Sequence, residues 1–539
     1  MTRGARGPLA VVAGFVVLVG LLYAGKAYHV DEPYYLAIAE QILRDPIHPL
    51  SFAYNWYGFS APMRVFIAFP TLFPYLLAPV IRLTGGAEWL TRLAFLPFDL
   101  MAAWALYALA ARLLRRPLGP TLIILSGPAY LINMQLLLPD KMIAAFGLAG
   151  LACFLRALDE DRPAWSILAG ALIAAALLFK CTAVFVLLLA LAAGRRRRSW
   201  RWLTLFGGLT AAPLAIALAV GSWTGGPGPW GGVFGSAWRS LSQSPAVSGR
   251  EFFDRLRALL AFTGGCGLVT MAWPLLVMRR PRRWGLWALA AGGVVLVLFC
   301  PFLDLAAVTA RQRLSGVVFS LGALVSLGVF RCRLLRGHPY GGLLATWAAV
   351  LMVLQLFFYW SIVTRYVAFL IMPIVLAQAV VLEARLAPET LRRTYAAGFV
   401  AVFALSLALA RVDYRYAGAQ KETVRMLAER FRGRRLWFTG HWGFQYYMEK
   451  AEASQIDALA GGWQAPRPGD IAVIPTINTR ILQPPFRPAA GQPEFLVCRD
   501  RVPLRLIQRG GAGFFTSKFG FLPYSIDSGP LDVFRIVEW

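Results

Sequence analysis

Apolar runs about one membrane width long alternate along the chain with short polar stretches that carry most of the charge. The first occupies residues 9–27, and others follow at 90–111, 119–137, 142–157, 203–221, 259–278, 285–303, 315–330, 343–360, 366–383 and 394–410. The run at 164–193 would be about 45 Å long as one helix, too long for a simple crossing and short for two. Lys180 stands near its centre, where a lone charge in a bilayer is costly, so the run is read as a hairpin of short helices with Lys180 at the turn. Between 28 and 88 the pattern changes. Tyr35, Leu36, Ala39, Ile42 and Leu43 recur at helical spacing, which predicts an amphipathic helix over 33–44 lying on the membrane surface. Val65 to Leu83 is apolar but interrupted by Pro70, Pro74 and Pro79, the mark of a broken interfacial or re-entrant segment. Beyond about 411 the long runs stop. Lys421 to Phe431 reads as an amphipathic helix, and Arg435–Thr439 and Asp470–Ile474 as short buried strands between turns rich in Gly and Pro.

Composition agrees with this pattern. With 58% hydrophobic and 15% charged residues, a chain of 539 residues is no ordinary soluble globule. The expectation is a polytopic α-helical membrane protein with about thirteen transmembrane helices over residues 1–410, followed by a soluble α/β domain over 411–539. The net charge of +27 does not point to nucleic acid, because the basic residues form clusters between apolar runs. Those clusters are Arg112 to Arg116, Arg195 to Arg198, Arg279 to Arg283, Arg331 to Arg336 and Arg385 to Arg393. Keeping all of them cytoplasmic places the N-terminus inside and the C-terminal domain outside. Five of the six cysteines lie in or beside apolar runs, so no disulfide framework is implied.

On that topology Asp31, Glu32, Asp140, Lys180, Arg365 and Tyr366 come to the outer face, with Tyr35 on the adjoining surface helix. Pro33 suits a first helical position, which makes Glu32 the N-cap and leaves Asp31 free off the start of the helix. The plain alternative is that the acidic pair caps a loop and that loop ends are where charge is tolerated. A site outside the cytoplasm has no nucleoside triphosphates, so group transfer there needs an activated donor that arrives through the membrane. A polyprenyl-phosphate sugar fits, with Lys180 and Arg365 on its phosphate and Asp31 taking the proton of an acceptor hydroxyl. Direct attack would invert the anomeric carbon.

Five stretches in order carry a resemblance: the Asp31-Glu32 pair with its tyrosine-rich helix, FPTLFPYLLAPVIRLTGGAEWLTRL, LLLPDKMIAAF with its LRAL ending, FKCTAVFVLLLAL and TRYVAFLIMPIV. Together they are similar to the GT-C glycosyltransferases, among them the bacterial lipid A aminoarabinose transferases and the protein O-mannosyltransferases. The resemblance implies a multi-pass protein of the plasma (inner) membrane with a periplasmic active site and a polyprenyl-phosphate-linked donor. It makes Asp31 the match for the family's first-loop aspartate, Asp140 for its second acidic position and Lys180 for the lysine near the phosphate. Lys141 stands where the family often has proline. No histidine-containing metal site is matched, so no cofactor is assigned and a divalent metal is left open; His29 is a single candidate ligand. Gly226, Gly228 and Gly231 spell G-x-G-x-x-G, but Pro227 and Pro229 lie inside it and no strand-to-helix turn surrounds it, so it is no dinucleotide site. Asp99 falls within a span, either paired inside the bundle or near a pocket. A flippase or a non-catalytic envelope assembly protein remains the alternative, although the charges gather at one face and no repeat is visible.

Overall fold

Helix α1 (Arg6–Tyr23) is apolar from Pro8 onward, and a short loop turns its end into α2 (Glu32–Arg44), whose buried residues include Tyr34, Tyr35, Leu36, Ile38, Ala39 and Ile42. The computed structural model describes residues 6–66, 72–197, 199, 201–211, 249–276, 291–296, 298–299, 308–459, 466–477, 482 and 493–539. The expected span at 285–303, the second half of the run at 203–221, the cluster at Arg279 to Arg283 and the glycine motif at Gly226 to Gly231 lie largely or wholly outside these residues.

Onward from α2 come a small hairpin of β1 (Ala53–Asn55) and β2 (Ser60–Pro62), then α3 (Leu72–Thr84) and α4 (Glu88–Leu113). At 13 residues α3 is about 20 Å long, shorter than the hydrocarbon core, and Pro79 lies inside it. The apolar run at 119–137 is not one helix. Gly127 is extended, and Pro128 starts a new helix, so the run divides into α5 (Leu118–Ser126) and α6 (Pro128–Met134). Next are α7 (Asp140–Glu160), α8 (Pro163–Phe179), α9 (Val184–Arg196) and α10 (Gly249–Cys266). The last of these starts ten residues before the apolar run expected at 259–278. Then follow α11 (Ala310–Arg331), α12 (Gly341–Phe358), α13 (Thr364–Arg385) and α14 (Pro388–Arg430). Among the described residues, α1, α4, α7 and α11 to α14 are the seven helices long and apolar enough to cross a membrane.

Ion pairs at helix ends sort these helices into two faces. At one face Asp159, near the end of α7, pairs with Arg112 at the end of α4 and Arg197 after α9, and accepts a hydrogen bond from Tyr340 before α12. Asp161, just before α8, pairs with Arg201, and Glu383 near the end of α13 accepts from the backbone N–H groups of Arg115 and Arg116 at 2.8 and 2.9 Å. Because α8 begins and α9 ends at this face, they form a hairpin whose turn, at Lys180, lies at the other. Lys180 is extended, with a 3₁₀ turn over Cys181–Ala183 behind it.

Helix α14 runs unbroken for 43 residues, about 65 Å, roughly twice the hydrocarbon thickness. Its first half is the apolar run the sequence shows, and its second half continues past 410 as a polar helix against the C-terminal sheet. That sheet holds β3 (Leu436–Phe438), β4 (Ser454–Gln455), β5 (Ile471–Pro475), β6 (Glu494–Cys498) and β7 (Asp532–Glu538) in the order β4-β3-β5-β7-β6. Strand β3 is parallel to β4 and β5, and β7 is antiparallel to β5 and β6. Helix α15 (Trp442–Lys450) covers the sheet through Phe444, whose ring lies 5.9 Å from Phe438 and 5.1 Å from Phe534. The same helix clamps the loop after α1: Tyr447 accepts the Tyr28 N–H at 2.8 Å. Only glycine fits at 443, since a Cβ there would meet the Tyr28 carbonyl oxygen at 2.2 Å.

Candidate active site

The loop between α1 and α2 is held by buried charge. Glu32 is the first residue of α2 rather than its cap; Asp31 holds the cap position without a side-chain capping bond. The Glu32 carboxylate is fully buried. It meets Arg92 of α4 in a two-pronged pair at 2.6 and 3.0 Å, and accepts the N–H groups of His29 at 2.7 Å and Leu137 at 2.8 Å. Arg92 also donates to the Lys26, Ala27 and Gln135 carbonyls. Lys26 pairs with Asp413 of α14, whose other oxygen lies 3.0 Å from His29 Nε2. These bonds hold Val30 in a left-handed conformation at φ 54, a strained state for a β-branched residue immediately before Asp31. His29 therefore belongs to this clamp, and burial pushes its imidazole below its ordinary value.

Asp31 faces the other way, with its side chain one-third exposed. Arg365, the second residue of α13, places Nη1 3.1 Å from Asp31 Oδ2 and Nε 3.8 Å from Asp140 Oδ2. Asp140 opens α7 behind Pro139 and is buried, as is Lys180, which donates to Asp140 Oδ2 at 2.8 Å. Lys180 Nζ lies 5.0 Å and Arg365 Cζ 5.7 Å from the centre of the Tyr366 ring, both within cation–π range. Tyr359 packs on Tyr366 at 4.4 Å between centroids. Tyr35 comes from α2; burial, with the Asp31 and Asp140 charges adding to it, holds its phenol well above its ordinary value and therefore protonated.

Asp31, Asp140, Lys180, Arg365, Tyr366 and Tyr35 thus converge, while Glu32 is turned into the scaffold. Lys141 reaches away from the cluster to Asp99 of α4 at 2.7 Å, which pairs Asp99 inside the bundle. His441, just before α15, donates from Nδ1 to the Trp56 carbonyl at 2.9 Å and stacks on the Trp56 ring at 4.8 Å; burial pushes its pKa down to about 4. Two stretches of π-helix flank the cluster, Ile143–Gly147 after Asp140 and Leu354–Phe358 before Tyr359, a feature frequent at functional sites. Sequence patterning does not expose them. Lys26, Arg92 and Asp413 were also missed, although a charge set within or at the end of an apolar run was the signal that could have found them.

Chemically the cluster offers an accessible carboxylate beside a guanidinium and an ammonium, with a second, buried carboxylate holding both cations in place. Among the described residues, no group of three or more His, Cys, Asp and Glu side chains could hold a metal ion. Both carboxylates are already matched by Arg365 and Lys180, a donor set that does not fit a divalent ion.

The family model for dolichyl-phosphate-mannose-protein mannosyltransferases matches residues 69–223, and the resemblance to the GT-C glycosyltransferases is borne out there. Comparison with curated proteins finds no match. Among solved structures, ArnT from Cupriavidus metallidurans in the apo state is 14% identical over 88% of this chain and 93% of its own, with a TM-score of 0.36. The same protein bound to undecaprenyl phosphate is 15% identical over 88% and 94%, with a TM-score of 0.38. The arabinosyltransferase EmbB from Mycobacterium smegmatis is 16% identical over 93% of this chain and 48% of its own, with a TM-score of 0.36.

Proposed function

We propose that this protein is an inverting membrane glycosyltransferase that takes a sugar from a polyprenyl-phosphate donor and passes it to a hydroxyl acceptor on a lipid, glycan or protein. The observation that carries this reading is Arg365, which bridges the two carboxylates at 3.1 and 3.8 Å, with Lys180 on the same Asp140 oxygen at 2.8 Å. A donor phosphate arriving there competes with Asp31 for the guanidinium fork. Asp31, released, accepts the acceptor's hydroxyl proton as that oxygen bonds to the anomeric carbon from the face opposite the phosphate. The carbon–oxygen bond to phosphate breaks, and its electron pair leaves on the phosphate, where Arg365 and Lys180 stabilise the charge. Tyr366 holds both cations against its ring, and buried Tyr35 supplies a protonated hydroxyl. Glu32, bound four ways, positions the Asp31 loop.

Two further observations support the reading. The family matched at 69–223 is described by a polyprenyl-phosphate sugar donor. The cluster is built at helix ends, not at mid-helix breaks near a bilayer midplane as in a transporter. The exposed arginines at the opposite face favour that face as cytoplasmic, with residues 1–410 the catalytic membrane domain of an inner-membrane protein and 411–539 a periplasmic domain. Turnover of purified Asp31→Asn with a synthetic polyprenyl-phosphate sugar tests the proposal: a loss of about 10² to 10⁴ is expected for a missing general base. Normal turnover by Asp31→Asn would end it.

A further inference from the structure

Away from the acid and base cluster, where the end of α1 meets α14 and the loop after β6, lies an open bowl of about 690 Å³. Arg411, Arg415, Arg499 and Arg501 line it together with one carboxylate, Asp500. Asp500 is already occupied: its side chain is 4% exposed, it pairs with Arg415 at 3.5 Å, and its other oxygen accepts the Val502 N–H at 2.8 Å. Arg411, Arg499 and Arg501 are exposed. Gathering four guanidinium groups in one concavity against one carboxylate raises the local potential, and an anion relieves it.

The position says which kind of anion. Leu22 and Tyr23 close one wall, and they are the last residues of a helix apolar enough to span a membrane. Leu22 is 55% exposed, so an alkyl chain has a surface to lie on. Tyr414 packs beside Tyr23, ring centroids 6.3 Å apart, and donates to the Gly25 carbonyl at 3.3 Å. An aromatic pair at the end of an apolar helix marks headgroup depth. Guanidinium forks match phosphate oxygens, and a basic pocket at that depth takes lipid headgroups.

We propose that this bowl binds the phosphate-bearing headgroup of an anionic membrane lipid, at a site separate from the Asp31 cluster. A zwitterionic headgroup would bring its own cation against the arginines. The cavity is also far larger than one phosphate, which leaves room for the rest of a headgroup. The proposal does not rest on glycosyl transfer, because its readout is binding and needs no turnover.

The test titrates the full-length chain in detergent with dihexanoyl phosphatidylglycerol, dihexanoyl phosphatidylcholine and inorganic phosphate, following the thermal midpoint. Saturable stabilisation by the anionic lipid alone is expected. The triple variant Arg411→Gln, Arg499→Gln, Arg501→Gln should weaken the apparent affinity by about tenfold or more, as lost charge-assisted hydrogen bonds require. Should the triple variant fail to fold, Arg499→Gln and Arg501→Gln singly, on an exposed loop, should each weaken it a few-fold. Equal stabilisation by phosphatidylcholine, or by inorganic phosphate, would overturn the lipid assignment. So would an affinity unchanged in the variants.

Discussion

Around the Asp31 loop, at one end of the helix bundle, the charges are buried and matched; at the opposite end they are exposed and mostly basic. Lys26 and Asp413 are 0% exposed as a pair, and Lys180 and Asp140 are 2% exposed each, whereas Arg201 and Asp161 are 67% and 61% exposed. The chemistry of the pairs is the same, but the energetics differ. A buried charge that loses its partner keeps its desolvation cost, while an exposed one is rehydrated. The buried end is thus committed to one geometry, and within it Asp31 is the carboxylate left one-third exposed beside a cation. A rigid frame around one accessible carboxylate is what a positioned base needs.

The sharpest way to break this comparison is Asp413→Asn. It leaves Lys26 buried opposite a neutral amide and removes the anchor of His29, so unfolding in detergent should be easier by about 3–5 kcal/mol. A denaturation midpoint close to that of the unaltered protein would mean that water reaches this end and that the two faces are alike.

The Lys180–Asp140 pair separates frame from chemistry. Lys180→Met alone strands Asp140 and should cost about 3–5 kcal/mol; Lys180→Met with Asp140→Asn leaves no unpaired charge and should recover most of it. Donor use should stay impaired in both, because the ammonium is gone. Recovery of both stability and turnover in the double variant would confine Lys180 to the frame.

How much of this was legible beforehand follows from the range of each signal. The long apolar helices, the break at Lys180 and the strands near 436 and 471 are local, written in periodicity and in the cost of one charge in an apolar run. So were the acidic pair, Asp140, Arg365 and Tyr366, which lie at run ends. The partners were not. Lys26 and Asp413 are 387 residues apart and Glu32 and Arg92 are 60 apart, and nothing local joins them. Glu32 was read as a cap because Pro33 follows it, and the sequence could not reveal that Arg92 would claim its carboxylate. The continuity of α14 past 410 was hidden for another reason. Apolarity stops there while helix-forming residues continue, and the apolar pattern marks burial in lipid, not the end of a helix.

A smaller effect should come from the sheet domain, where a buried acid has no such partner. Burial pushes the Asp532 carboxyl up to about 7, although the Val533 N–H and the side chains of Gln420 and Tyr416 favour its charged form. A carboxyl raised in the folded state adds stability that is whole below its unfolded pKa and lost as pH rises through the folded value. The unaltered protein should therefore lose roughly 3 kcal/mol relative to Asp532→Asn between pH 5 and pH 8. His441, pushed down to about 4, acts in the opposite direction, but it is common to both proteins and cancels in the difference. Parallel pH profiles of the thermal midpoint would show that Asp532 is charged throughout.

The least effect belongs to the exposed end. Arg201 pairs with Asp161 and lies over Trp202 at 4.8 Å, yet both partners of the pair are mostly in water. Salt screens such a pair, and holding two long side chains in one geometry costs entropy that offsets most of the attraction. Arg201→Gln should leave the thermal midpoint and turnover essentially unaltered. What this residue contributes is charge on the proposed cytoplasmic face, which acts during insertion and not in the folded state. One variant among so many arginines should not turn the protein over. A large loss of stability in Arg201→Gln would show that the Asp161 contact holds the start of α8, and the contrast between the two ends would then be one of degree.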